Sequence, residues 1–107
     1  MAINLSATNA FPYIYRATLA GVAGDATRVD LPPGVEIVSF HFLVNNGAIA
    51  FTGTDGATID SQFATIPAGT WMSVQMHGRA TGQAHTQIFL SADQAGTTFE
   101  LLLEEVG

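Results

Sequence analysis

Leu31-Pro-Pro-Gly-Val-Glu-Ile-Val-Ser-Phe-His41 has a counterpart 35 positions later, Ile66-Pro-Ala-Gly-Thr-Trp-Met-Ser-Val-Gln-Met76. Each copy begins with an apolar residue, a proline and a glycine, a combination typical of a turn. Each then continues into a run of alternating apolar and polar residues, which is the period of a half-buried β-strand. The two copies therefore predict a β domain made of turn–strand units, without a helix.

Other alternating segments surround the two copies, and turn residues such as Gly24-Asp25 and Asp93-Gln-Ala-Gly96 separate them. We expect strands within residues 2–8, 11–18, 27–31, 35–44, 47–54, 70–77, 85–92 and 97–106. This spacing is typical of an all-β protein, a single β-sandwich of about eight strands with jelly-roll or related Greek-key topology. Residues 1–10 would form an N-terminal arm or first strand, and residues 11–107 the sandwich domain.

Two connections lead to separate expectations. Asn45-Asn46-Gly47 is typical of a tight hairpin because Asn and Gly tolerate the positive φ of such turns. We therefore expect residues 35–44 and 47–54 to pair with each other. Residues 58–66 have the weakest pattern and are expected to form a loop between the two halves.

The composition excludes several function classes. Only 11% of the 107 residues are charged, the net charge is −6, and there is no lysine. Binding to nucleic acid or to an anionic membrane needs clustered Lys or Arg, so neither partner is expected. The absence of cysteine excludes disulfides, thiolate metal sites and a cysteine nucleophile. We expect neither a secretory signal at the N-terminus nor an apolar run long enough to span a bilayer.

The alternation assigns a core and an opposite face. The predicted core consists of Val38, Phe40, Phe42, Met72, Val74, Met76, Ile88, Leu90, Phe99, Leu101 and Leu103. The other faces of the same strands also carry large apolar residues, which we take as interface candidates: Ile37, Leu43, Ile49, Phe51, Trp71, Phe89 and Leu102. Loops or the N-terminal arm could cover them, or a subunit interface could bury them. The low charge and the lack of lysine on edge strands favour an interface.

The sequence offers little catalytic chemistry. His41, His77 and His85 lack the His-x-His spacing of a jelly-roll metal site, and no serine lies in a Gly-x-Ser-x-Gly motif. The carboxylates fall into two groups, turn or loop residues and residues of the last strand, without a ligand-dense spacing: Asp25, Asp55, Asp60, Glu100, Glu104 and Glu105. We therefore expect no enzyme activity, no metal and no cofactor.

Carbohydrate binding is the strongest chemical alternative. Trp71, Tyr13 and Tyr15 could act as flat platforms for sugar rings, and Asn45, Asn46 and Gln75 could supply polar partners. The competing interpretation is that these aromatic residues pack in the core or in an interface.

The segment His85-Thr-Gln-Ile-Phe-Leu-Ser-Ala-Asp-Gln-Ala-Gly-Thr-Thr-Phe-Glu-Leu-Leu-Leu-Glu-Glu105 resembles the end of small β-sandwich virion proteins of tailed bacteriophages. In those proteins an Ile-Phe-Leu-Ser strand meets a turn ending in Ala-Gly-Thr and then a last apolar strand. The Pro-Ala-Gly entry at Pro67 is similar as well, and the likeness extends from Leu31 onward.

The resemblance implies a non-enzymatic virion protein, a capsid decoration (cement) subunit that stabilises a phage shell. A head–tail or tail accessory protein is an alternative, and a lectin-like carbohydrate-binding module is another. The implied partners are the major capsid protein or other virion proteins, together with further copies of the chain in a trimer or other symmetric oligomer. The implied location is the virion, after synthesis in the host cytoplasm.

Overall fold

The computed structural model describes residues 2–5, 12–19, 22–32, 35–75 and 86–104. These ranges contain strands, turns and loops, and no helix. The nine strands, in chain order, are β1 Ile3–Asn4, β2 Tyr13–Leu19, β3 Thr27–Leu31, β4 Ile37–Phe42, β5 Gly47–Ala50, β6 Ala64–Ile66, β7 Trp71–Gln75, β8 Thr86–Ala92 and β9 Thr97–Glu104. Each predicted stretch contains a strand, and β6 lies where we expected only a loop. The predicted all-β sandwich is confirmed.

The strands form two packed sheets, a five-stranded sheet in the order β1-β3-β8-β5-β6 and a four-stranded sheet in the order β2-β9-β4-β7. The antiparallel pairs β2·β9, β3·β8, β4·β7 and β5·β6 join early strands to late ones. This is the pairing of one long folded ribbon wrapped into two sheets, so β2–β9 have jelly-roll strand order. Short β1 adds a parallel strand beside β3.

The core lies between the sheets and follows the alternation seen in the sequence. Along β9, for example, Phe99, Leu101 and Leu103 are fully buried, whereas the residues between them are partly exposed. Most predicted core residues are buried, and Met72 and Val74 are half-buried against the same cluster. Met76 lies outside the described residues. A large-to-small change at a buried phenylalanine here would cost about 3–5 kcal/mol.

Both copies of the repeated stretch are corners between the sheets. Leu31 and Ile66 end strands of the five-stranded sheet, and the chain then enters β4 or β7 of the four-stranded sheet. Five residues separate β3 from β4, but only four separate β6 from β7. The inward side chains therefore fall one position earlier in the second copy, at Met72 and Val74. Both copies therefore connect the same two sheets, but equivalent positions of the two copies do not point to the same side of the sheet.

The hairpin predicted at Asn45-Asn46-Gly47 is wrong. β4 and β5 belong to different sheets, so residues 43–46 form another corner. Asn45 Nδ2 donates to Thr97 Oγ1 at 3.0 Å, and Asn46 Oδ1 accepts from the Ala68 N–H at 2.9 Å. Gly47 has no positive φ. Its small size matters instead, since a Cβ there would lie 2.4 Å from the Phe42 ring.

Candidate docking surface

The outer face of the five-stranded sheet is covered by the chain itself. Residues 51–63 cross it between β5 and β6. The sequence had predicted the end of a strand at residues 51–54 and a loop from residue 58 onward. The Ile59 N–H donates to Gly24 O at 3.0 Å, and the Arg28 N–H donates to Asp55 Oδ1 at 2.9 Å. Phe89, only 3% exposed, packs there with Ala26, Ala50 and Ile59. We call this surface the covered face.

The outer face of the four-stranded sheet is different, and we call it the open face. Its exposed apolar residues are Ile14 (69% exposed) and Trp71 (50% exposed). Ile37, Leu43 and Leu102 are half-buried beside them. Arg16, Ser73 and Gln75 are also exposed, so among the described residues this face is left accessible to a partner.

One row of the open face is polar. Arg16, Glu100, His41 and Trp71 lie opposite one another in register across all four strands, and we call them the polar row. Arg16 Nη1 lies 3.7 Å from Glu100 Oε2, and His41 Nδ1 lies 3.1 Å from Glu100 Oε1. The His41 and Trp71 rings stack with centroids 4.8 Å apart and planes 16° apart. Glu100 therefore joins two basic side chains, and His41 fixes the orientation of the indole.

The neighbouring row joins large and small residues. Ile14, Leu102, Ser39 and Ser73 are again in register across the sheet, and we call them the serine row. The two serine hydroxyls share a hydrogen bond at 2.8 Å. Ser39 is only 7% exposed, while Ile14 protrudes. The surface along the serine row therefore protrudes at β2 and is depressed at β4 and β7.

The interface candidates from the sequence divide between locations. Ile37, Leu43, Trp71 and Leu102 lie on the open face. Phe51, 40% exposed, lies on the segment that crosses the covered face. The expectation is wrong for Phe89, which that segment covers, and for Ile49, which points into the main core. Sequence reasoning missed Ile14, although its alternation with Tyr13 and Tyr15 put it on the opposite side of the strand from them.

The carbohydrate alternative loses part of its predicted site. Tyr13 and Tyr15 are half-buried against the core, so neither is a free platform. Asn45 and Asn46 hold the corner between β4 and β5. Trp71 and Gln75 remain on the open face, at opposite ends of β7.

The carboxylates and histidines of the described ranges do not cluster into a metal site. These ranges contain no group of three or more His, Cys, Asp or Glu side chains that could hold a metal ion. His77 and His85 lie outside the described residues, as does Glu105. The buried carboxylate of Asp30 is ion-paired with Arg28, Nε to Oδ1 3.0 Å.

Asp60, on the surface of the covering segment, is a turn residue. A hydrogen bond from the Thr52 hydroxyl, and a second from the Gln62 N–H, lower the pKa of Asp60 below its ordinary value of 3.8. Both bonds stabilise the charged carboxylate in place. Asp60 therefore holds the covering segment rather than a ligand.

A small apolar cavity of about 270 Å³ lies at one end of the sandwich. Ala48, Ile59, Phe63 and Ala92 form its apolar walls, and Asn46 and Asp93 lie at its side. Both polar residues already take part in the corner, since the Asp93 N–H donates to Asn46 O at 3.1 Å. The cavity is at the lower limit for ligand sites, about 300 Å³.

Comparison with protein-family models, curated proteins and solved structures finds no match to the chain. None of the described segments is a helix long and apolar enough to cross a membrane. The geometry defines the class of the protein as a jelly-roll β-sandwich with one covered and one open outer face.

Proposed function

We propose that the protein is a non-enzymatic structural subunit that assembles with protein partners through its open face. The observation that carries this proposal is the contrast between the faces: the chain covers one outer sheet surface and leaves large apolar side chains on the other. Exposed apolar patches are typical of protein–protein interfaces. Burying Ile14 and Trp71 would contribute about 1.5–3 kcal/mol for each fully buried side chain.

The edge strands and the low charge of the chain support the same proposal. Natural sheets often carry lysine on edge strands to prevent pairing with other chains, and this sequence has none. Among the described strands, β2 and β7 are the edges of the four-stranded sheet. Depletion of charge is also typical of interface cores.

The resemblance to small phage virion proteins suggests the larger assembly. In this proposal the subunit decorates and cements a capsid shell in the virion: the open face joins copies of the chain, and the resulting oligomer binds the major capsid protein through its remaining surfaces. Jelly rolls occur in capsid proteins and in lectins, so the fold is compatible with this role without selecting it. Each copy would bind weakly, but many copies bound at once would stabilise the shell through multivalency. A head–tail or tail accessory role would use the same face.

The experiment compares two matched apolar residues. Ile14 is 69% exposed on the open face, and Val22 is 70% exposed in the connection between β2 and β3. We expect sedimentation velocity of the wild type to show concentration-dependent association. Ile14→Asp should abolish that association and leave the melting temperature nearly unchanged, whereas Val22→Asp should leave both unchanged. A monomeric wild type, or an assembly unaffected by Ile14→Asp, would contradict the proposal.

The half-exposed Trp71 favours one second candidate, a carbohydrate-binding module. The indole stands at edge strand β7 with one face on His41, which leaves a flat aromatic surface of the kind sugars stack on. Glycan-array binding that Trp71→Ala removes and Trp71→Phe retains would support this candidate. Absence of binding to any glycan at high protein density would eliminate it.

A further inference from the structure

The open face is complementary to a copy of itself in one particular orientation. This inference rests on the proposed function and specifies the partner. We infer that two chains pack open face to open face around a twofold axis that runs parallel to the strands between β9 and β4. Such a rotation reverses the strand order and keeps each row opposite the same row of the partner.

Charge is the first argument for this axis. Reversal of the polar row places Glu100 over the partner's His41, and Arg16 over the partner's Trp71. The first contact pairs a carboxylate with an imidazole, and the second is a cation–π contact. Glu100 Oε1 already lies 3.1 Å from His41 Nδ1 of its own chain, so the reversal would set each Glu100 carboxylate between two imidazoles.

Shape is the second, independent argument. Reversal of the serine row places Ile14 over the partner's Ser73, and Leu102 over the partner's Ser39. Each protruding aliphatic side chain then meets a small residue, and Ser39 at 7% exposure forms the floor of the depression. Close packing of large against small side chains is what interface cores need.

The alternative twofold axis within the face is unfavourable. An axis perpendicular to the strands through the polar row would place each strand over its own copy. Glu100 would then face the partner's Glu100, and Arg16 the partner's Arg16. Like charges opposite each other disfavour this arrangement, whereas the parallel axis avoids it.

The size of the face predicts a modest affinity. Four strands about 4.8 Å apart and about six residues long cover roughly 400 Å² per partner, or about 800 Å² in total, which is below the roughly 1,200 Å² of standard specific interfaces and in the range of weak, transient ones. Aligned packing of two sheets about 10 Å apart accommodates this geometry. We expect a dissociation constant in the micromolar range.

The test uses two variants that should each fail alone and recover together. Glu100→Arg places an arginine over the partner's His41, and His41→Glu places a glutamate over the partner's Glu100. Each homodimer should weaken by roughly 10-fold or more. In an equimolar mixture, the introduced arginine of one chain meets the introduced glutamate of the other, so sedimentation velocity should show a heterodimer. Asp93→Arg and Thr65→Glu are charge-matched controls away from the open face.

A second test, used if the charge variants fold poorly, exchanges the large and the small residue of one predicted contact. Ile14→Ser and Ser73→Ile should each weaken the dimer, and the double variant should restore it because both contacts are exchanged together. Homodimers unaffected by the single changes would overturn the inference. Dimers that are lost and not recovered in the mixture or in the double variant would also overturn it. In that last case, association sensitive to Ile14→Asp would still support the proposed function.

Discussion

The two outer faces of this sandwich carry similar apolar side chains, but one face is covered by the chain and the other is exposed. On both faces, strand alternation directs aromatic residues away from the core, Phe89 on one side and Trp71 on the other. Residues 51–63 bury Phe89 to 3% exposure, while Trp71 stays 50% exposed. The comparison shows that an outward apolar residue becomes an interface candidate only when no loop of the same chain lies over it.

The largest expected effect comes from removing each aromatic side chain in turn. Phe89→Ala should lower the free energy of unfolding by about 3 kcal/mol or more, because it leaves a cavity beneath residues 51–63. Trp71→Ala should lower it by less than about 1 kcal/mol, since its loss exposes little new apolar surface. Urea denaturation at low protein concentration measures both values. Equal costs would contradict the distinction between the faces.

A smaller effect is expected from loosening the cover itself. Asp55→Ala removes the acceptor of the Arg28 N–H and should cost about 1 kcal/mol. Hydrogen exchange should accelerate in residues 51–63 and remain unchanged in β4 and β9. Uniform acceleration across the molecule would mean that this contact does not hold the cover locally.

The open face can be followed through its own fluorophore. Trp71 is the one tryptophan of the chain, so emission reports directly on that face. We expect the emission maximum to shift to shorter wavelength as protein concentration rises, and Ile14→Asp to remove the shift. Emission that is independent of concentration in a protein that associates would place the interface elsewhere.

The smallest effect concerns pH and the covered face. Because the pKa of Asp60 is lowered in the folded protein, its hydrogen bonds contribute stability above pH 3.8, which is lost as the pH falls through the folded value. Asp60→Asn should therefore lower the melting temperature slightly at neutral pH, and this difference should vanish in strong acid. A difference in melting temperature that grows on acidification would contradict the predicted direction of this pH dependence.

Much of the fold could be predicted from local patterns. Alternation identified Phe40, Phe99 and Leu101 as core because a strand with one buried face fixes every second side chain. Sheet membership could not be predicted in the same way. Asn45-Asn46-Gly47 has hairpin composition, but Gly47 is needed for the close approach of the Phe42 ring, a tertiary contact invisible in the sequence.

The candidate site was predictable only in part, for a related reason. The alternation of β4 and β7 placed His41 and Trp71 outside, but their stacking depends on register between strands 30 positions apart. Glu100 joins the polar row because β9 pairs with β4, and Glu100 is even further from His41 along the chain than Trp71 is. Phe89 was taken as an interface candidate because local pattern cannot reveal that residues 51–63 return over their own sheet.

Hydroxyl-radical footprinting at low and high protein concentration shows which outer face becomes buried on association. We expect Ile14, Leu102 and Trp71 to become protected as the protein associates, while Val22 and Phe51 keep the same reactivity. Protection of Val22 or Phe51, with Ile14 and Trp71 still reactive, would contradict this expectation.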